Sequence, residues 1–296
     1  MGQSTKSPNV VGRYVSSERF LGGALAVANH LAGFCREVRL LSLLGAEETA
    51  EDWIRGLLRP NVQATFLVKQ NAPTIVKRQY REAYFATTLF EVDRLNEDPL
   101  TEVEARQLDE VLQQTVPGTD LVVVADYGHN WLGGSAVRTL CGQATFLAVS
   151  TPANAANLGY HTISKYPRAS YIALAEQELR LDRRSRGGCL TEMLASLARD
   201  LQTALAAVTI GNKGCLCYSA TAGCVESPAL ATRVVDRFGA GEAFLAISSL
   251  CAVLKFPAEE LAFLGNVAGA EAVAVVGNSR FLEQVLLRRH VESLFK

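Results

Sequence analysis

The sequence predicts an α/β protein: a three-layer, doubly wound and mostly parallel sheet with helices on both faces, accompanied by a small antiparallel β flap. Three observations predict it. Short runs rich in aliphatic and β-branched residues, apolar on both faces, recur along the chain and are separated by segments of helical length. Two stretches, residues 9–20 and 62–93, instead mix β-branched and aromatic residues with polar alternation. From residue 242 onward the pattern is helical to the end.

The elements follow in order. Helical periodicity covers residues 23–32, 47–58, 100–114, 132–140 and 190–205. Between and beside these, "EVRLLSLLG" (37–45), "DLVVVADYG" (120–128), "ATFLAVS" (144–150), "SYIAL" (170–174) and "LAAVTIG" (205–211) read as buried strands. Three helices close the chain: 242–254, 257–275 with Pro257 suited to a first turn, and 280–295. No internal repeat or low-complexity linker interrupts the series, so the expectation is one domain over residues 1–296 with the flap attached. A flap of this kind fits two roles, a cover for a site and the edge of a dimer.

Composition narrows the function class. With 296 residues, 49% of them hydrophobic, the chain buries a sizeable core. Its 29 basic and 30 acidic residues leave a net charge of −1, so no overall electrostatic footprint for nucleic acid or an anionic membrane exists, and any anion must be bound locally. Seven cysteines, an odd number in apolar surroundings, suit buried thiols in a reducing compartment. The opening "MGQSTKSPNV" lacks the apolar core of a signal peptide. The longest apolar run, 243–254, falls short of the roughly 20 residues a membrane span requires. The expected location is cytoplasmic.

The stretch "VVDRFGAGEAFL" (234–245) carries the chemistry. Gly239, Ala240 and Gly241 lie between a β-rich run and an apolar helix, and a glycine-rich turn leading into a helix offers unpaired N–H groups and the positive end of a helix dipole to an anion. Glu242 follows at once. Taken alone the tripeptide fits two readings, an anion hole with an adjacent acid, or a tight turn whose acid favours the helix dipole.

Other motifs enlarge the set. "GGALAVANHLAGF" begins at Gly22 and Gly23, "TIGNKGCLCY" spans 209–218, and "GNVAGAEAVAVVG" spans 265–277. Together with "VVDRFGAGEAF", these segments resemble, in order and over nearly the whole chain, the signatures of the ribokinase-like (PfkB) carbohydrate kinases. The resemblance implies the ribokinase-like fold and ATP-dependent phosphorylation of a sugar or sugar phosphate, with ATP and Mg2+ as cofactors. It assigns N–H donors for the transferring phosphoryl to Gly239, Ala240 and Gly241, and the catalytic base to Glu242. It places Thr209, Gly211, Lys213, Gly214, Asn266 and Asp236 beside the nucleotide, and Gly22 and Gly23 beside the sugar. Glu178 in "ALAEQELRL" stands where the family has the Glu of an Asn-x-x-Glu motif that supports magnesium; an exposed helix acid is the other reading of that residue.

Two segments are similar to those of the heptose-7-phosphate kinases within the family. "VVVADYGHNWL" puts Asp126 at the carboxyl end of a buried strand, where open α/β sheets place their ligands. "TIVKRQYR" (74–81) puts Lys77 and Arg78 on a flap strand; contact with a sugar phosphate and solvated flap charge both fit these two cations. By the same resemblance the flap implies a homodimer.

The sequence also departs from the family. Glu242 replaces the family Asp, and a misplacement of about 1 Å at a reacting centre can cost about 100-fold in rate. Ala26 stands in place of a sugar-contacting Asn, with Asn29 one helical turn away. The apolar strand ending in Gly-Asp that opens these kinases has no counterpart, which removes a sugar ligand from the site and a strand from the sheet. These departures motivate a second reading, a catalytically impaired nucleotide-binding or scaffolding relative. Cys215, Cys217 and Cys224 lack a fourth ligand and read as buried thiols rather than zinc ligands, and the four histidines show no ligand spacing. "GNKG" lacks the ending of a Walker loop and "GGALAV" the spacing of a dinucleotide fingerprint.

Overall fold

The computed structural model describes residues 2–3, 10–82, 84 and 87–296. Residue 9 and residues 83, 85 and 86 of the two flap stretches lie outside the described residues. A minimal ribbon pairs β1 (Gly2–Gln3) with β2 (Val10–Val11). After it come α1 (Gly23–Ala32), β3 (Val38–Glu47), α2 (Glu51–Leu57), β4 (Val62–Pro73), β5 (Val76–Arg81), β6 (Thr88–Arg94) and α3 (Glu102–Thr115). The second half runs β7 (Val122–Ala125), α4 (Gly134–Gln143), β8 (Leu147–Ser150), β9 (Tyr171–Ala175), α5 (Glu176–Asp182), α6 (Leu190–Asp200) and β10 (Leu205–Thr209). It ends with β11 (Cys215–Ser219), β12 (Gly223–Ser227), α7 (Ala240–Val253), α8 (Ala258–Val273) and α9 (Gln284–Leu294).

The central sheet has six strands in the order β12-β11-β10-β9-β8-β7, parallel from β7 to β10 and antiparallel at β11 and β12. Its parallel strands are buried on both faces, which is why they read as continuous apolar runs. On one face, residues of α3, α4, α5 and α6 such as Leu108, Leu140, Leu179 and Leu197 form a core with Val124 and Val149. On the other, Val27 of α1, Phe244 and Ile247 of α7 and Leu261 and Val267 of α8 cover Ala148, Ala207 and Cys217. The three layers expected from the alternation are present. α7 and α8 carry buried residues nearly all round, as a helix inside a core must.

The flap departs from its sequence boundaries. Of residues 62–93, only β5 and β6 form an antiparallel hairpin; β4 pairs in parallel with β3. The reason is burial: Phe66 of β4 packs with Leu44 of β3, Ile54 of α2 and Leu21, so the first half of this stretch belongs to a small core of its own. Residues 12–20 form no strand. The β3–β4 pair makes no ladder with the six-stranded sheet, and β7 and β3 each end a ladder among the described residues. α1 packs against both β3 and β7, bridging the interruption.

His30 ties α1 to the C-terminal segment. It is 1% exposed, its Nδ1 accepts the Leu282 N–H at 3.1 Å, and its ring meets Phe281 edge-on. Burial, with Arg59 adding to it, lowers its pKa from 6.5 to about 4. A histidine lowered in the folded state stabilises above the unfolded value and loses that contribution as pH falls from about 6.5 toward 4. At about 1.4 kcal/mol per pH unit, this window is worth about 3 kcal/mol. Urea unfolding at a series of pH values should show that slope in the wild type. It should flatten in His30→Asn, which keeps an acceptor for Leu282.

Candidate active site at the carboxyl ends of the strands

The ends of β7, β9 and β10 and the N-termini of α1 and α7 carry Asp126, Glu178, Thr209, Gly22, Gly23 and the 239–242 loop. Gly239 is the N-cap of α7 at φ 84°, a left-handed conformation that favours glycine. A Cβ there would lie 2.1 Å from Asn278 Oδ1, so residue 239 is restricted by space as well as by dihedral. No side chain caps α7, and the Gly239 carbonyl accepts the Ala243 N–H. The amides of Ala240, Gly241 and Glu242 therefore have no intrahelical acceptor and form the positive end of a 14-residue helix.

Asp236 fixes this loop from beneath. Its Oδ2 accepts from Gly277 N at 3.0 Å and Arg81 Nη1 at 2.9 Å, and its Oδ1 from Phe238 N at 3.3 Å. Its carboxylate is engaged within the protein and supports the loop. Arg81 brings the flap into the same arrangement.

Glu242 is half-buried, and its Oε1 accepts the Tyr127 hydroxyl proton at 2.9 Å. Tyr127 follows β7 and is held at three points. Its carbonyl accepts from Asn154 Nδ2 at 2.8 Å and Asn157 Nδ2 at 2.5 Å. Its ring lies against Gly23, where a Cβ would stand 3.1 Å from Cε2 and where φ is +56°. Burial, then the charge of Glu242, pushes the phenol well above its ordinary range, so it stays a donor.

Asp126 follows β7 directly, at the carboxyl end of the strand. It is 1% exposed, with Oδ2 accepting from Lys165 Nζ at 2.8 Å and Tyr166 OH at 2.7 Å, and Oδ1 accepting from Gly128 N at 3.0 Å. His161 Nε2 stands 3.5 Å from Oδ1. Burial raises its pKa, but His161 and Lys165 outweigh that and hold the carboxyl below its usual value. Both oxygens take hydrogen bonds from the chain itself, which ties the loop after β7 to Lys165 and Tyr166. A cavity of about 840 Å³ opens beside it, lined by Gly128, Asn157, His161 and Lys165 among others, and the 239–242 loop does not line it.

Lys77 and Arg78 are neighbours on β5 and so face opposite sides of the hairpin. Lys77 pairs with Asp93 at 3.3 Å and Glu91 at 3.7 Å and acts on His129, which places it over the β7 end. Arg78 lies in the field of Glu48 and opposite Val92, on the other face. The hairpin thus separates two cations expected to meet one phosphate.

Glu178 accepts from Ala175 N at 2.7 Å and Ala153 N at 3.1 Å, and burial raises its pKa against these bonds. Thr209 ends β10, and the turn behind it carries Gly211 at φ 58° and Gly214 at φ 99°, with Lys213 exposed. Asn266 is buried, and its Nδ2 donates to Ser227 O, Ser227 Oγ and Pro228 O, tying α8 to the end of β12. Gly22 is the N-cap of α1. Ala26 is fully buried, and Asn29 bonds Leu57 O and Arg59 N, so neither reaches the strand ends. No group of three His, Cys, Asp or Glu able to hold a metal forms among the described residues. Cys215, Cys217 and Cys224 are free.

Sequence reading missed Tyr127, Arg81 and Asn278. Tyr127 and Glu242 are 115 positions apart, and only the fold brings them together; the one local signal was the position of Tyr127 next to Asp126.

The profile of the pfkB family carbohydrate kinases matches residues 5–284. The bifunctional protein HldE of Trichlorobacter lovleyi is 26% identical over 283 residues, covering 93% of this chain and 56% of that protein. HldE of Helicobacter pylori is 24% identical over 294 residues, with 96% and 61% covered. The chain thus spans little more than half the length of these relatives. Among solved structures, phosphofructokinase-2 from Escherichia coli in complex with potassium superposes with a TM-score of 0.74 at 15% identity, covering 93% of this chain and 87% of that one. A nucleoside kinase of Burkholderia thailandensis in complex with inosine superposes at 0.68 and 18% identity, with 97% and 90% covered. These likenesses establish the ribokinase-like fold.

Proposed function

The chain belongs to the pfkB family of carbohydrate kinases, and from that premise we propose that it transfers the terminal phosphoryl group of ATP to a hydroxyl of a sugar or sugar phosphate. A heptose phosphate is the favoured acceptor, since proteins named HldE align along nearly all of the chain. One observation carries the reading: Glu242 carries the last of three amides without intrahelical acceptors, at the N-terminus of a long helix facing the strand ends.

In this reading the amides of the 239–241 loop and the α7 terminus stabilise charge on the transferring group, and Glu242 orients the attacking hydroxyl and accepts its proton. Thr209, Gly211, Lys213 and Gly214 border the nucleotide, Gly22 and Gly23 the sugar, and Lys77 reaches over it from the flap. The donor set suits Mg2+ held chiefly by ATP, because magnesium takes one or two carboxylates besides phosphates and water; we assign its support to Glu178. When bound, the cation neutralises phosphate charge. Titration with an unhydrolysable ATP analogue, followed by ADP-release assays against a panel of sugars and sugar phosphates, tests the proposal. Binding with turnover on one acceptor is expected; absence of nucleotide binding overturns it. Binding without turnover on any acceptor favours the impaired relative, a reading motivated by Glu242 in the place of Asp and by the buried Ala26.

We further propose that the chain acts as one kinase unit in the cytoplasm and as a homodimer through its flap. No helix among the described residues is long and apolar enough to cross a membrane. The outer face of the hairpin exposes Val76, Tyr80, Phe90 and Val92 around Arg78, with Tyr80 and Phe90 stacked at 4.6 Å. An apolar patch on a two-stranded hairpin is covered in a stable arrangement, and a second copy offers the same patch. Light scattering should give a dimer in the wild type and a monomer in Phe90→Glu; a monomeric wild type counts against the assembly.

A further inference from the structure

Tyr127 presents a second feature of the site, one that rests on the reading of Glu242 as the base. A glutamate side chain has three rotatable bonds and loses up to about 2 kcal/mol of rotamer entropy when it is fixed. Proton acceptance in the transition state requires it fixed, within a fraction of an ångström of the attacking oxygen. The phenol at 2.9 Å from Oε1 supplies a fixed point for one carboxylate oxygen and leaves the other for the substrate. Tyr127 is itself rigid: two Asn side chains hold its carbonyl, and Gly23 leaves room for its ring.

We propose that Tyr127 is the positioning residue for Glu242, and that the longer arm of Glu is matched to this anchor. An Asp at 242 is one methylene shorter and falls out of reach of the phenol. In the transfer step the acceptor oxygen forms a bond to the γ-phosphorus as the bond to the ADP oxygen breaks. The acceptor proton passes to the free oxygen of Glu242, ADP leaves with the electron pair, and Tyr127 keeps its proton throughout.

The test uses Tyr127→Phe, which retains the ring against Gly23. The expected result is a 10- to 100-fold fall in kcat with KM for ATP unchanged within twofold. In a Glu242→Asp background, the same replacement should add less than a twofold effect, because the shorter acid has no bond to lose. A readout independent of turnover is the 13Cζ resonance of Tyr127 in labelled protein, which should shift on Glu242→Gln. Wild-type kcat in Tyr127→Phe, an equal loss in both backgrounds, or an unmoved resonance overturns the proposal. If Glu242→Gln is inactive while Tyr127→Phe is unaffected, the anchor fails and the base stands; if Glu242→Gln turns over normally, the base reading fails.

Discussion

Replacing Glu242 by Gln is expected to lower phosphoryl transfer by about 100- to 10,000-fold, the range that loss of a positioned general base produces. The same replacement should leave affinity for an unhydrolysable ATP analogue within about twofold. Gln keeps the length of Glu, and its carbonyl oxygen still accepts the Tyr127 hydroxyl seen at 2.9 Å. The loop geometry is preserved too, since Gly239, Asp236 and Asn278 set it without help from residue 242. What is lost is the ability to take a proton. ADP release and calorimetric titration on one preparation separate these two quantities. A Gln variant that turns over at the wild-type rate refutes the base assignment, and one that no longer binds nucleotide shows that residue 242 serves the loop.

The second large effect is on stability. Asp126→Asn should cost about 3 kcal/mol at pH 7, because removing one partner of a buried ion pair leaves the others uncompensated. The amide nitrogen would face Lys165 Nζ and Tyr166 OH, which at 2.8 and 2.7 Å both act as donors. Lys165 is partly exposed and can turn to water, which keeps the cost at the lower end of the range for buried pairs. The pH dependence has a definite sign. A carboxyl held below its ordinary value stabilises above that value, and the contribution is lost as pH falls through the lowered one, below about pH 4. The window lies below that of His30, so urea unfolding from pH 7 to pH 3 should resolve two steps, the lower one missing in Asp126→Asn. An Asn variant with wild-type stability at pH 7 would show that Lys165 and Tyr166 find other partners.

How much was legible beforehand depended on the range of each interaction. The parallel strands β7 to β10 were readable because strands covered on both faces must be apolar throughout, as Val149, Ile172 and Val208 are. The strand β4 was not. Its alternation suits a flap as well as a sheet edge, and only the packing of Phe66 beside Leu44 and Ile54 decides. Lys77 and Arg78 were adjacent cations in the sequence; strand pleating sends them to opposite faces.

By itself, the sequence determined the α/β layering, the glycine turn at 239–241 and the acid that follows it, because each depends on hydrophobic periodicity or on a few consecutive backbone dihedrals. Tertiary structure alone decided the partners of those groups. It joined Tyr127 to Glu242 and Arg81 to Asp236, and it turned Asp126 inward to Lys165 and Tyr166. The physical reason is that a hydrogen bond or ion pair acts over about 3 Å in space, whereas these partners stand 115, 155, 39 and 40 positions apart along the chain.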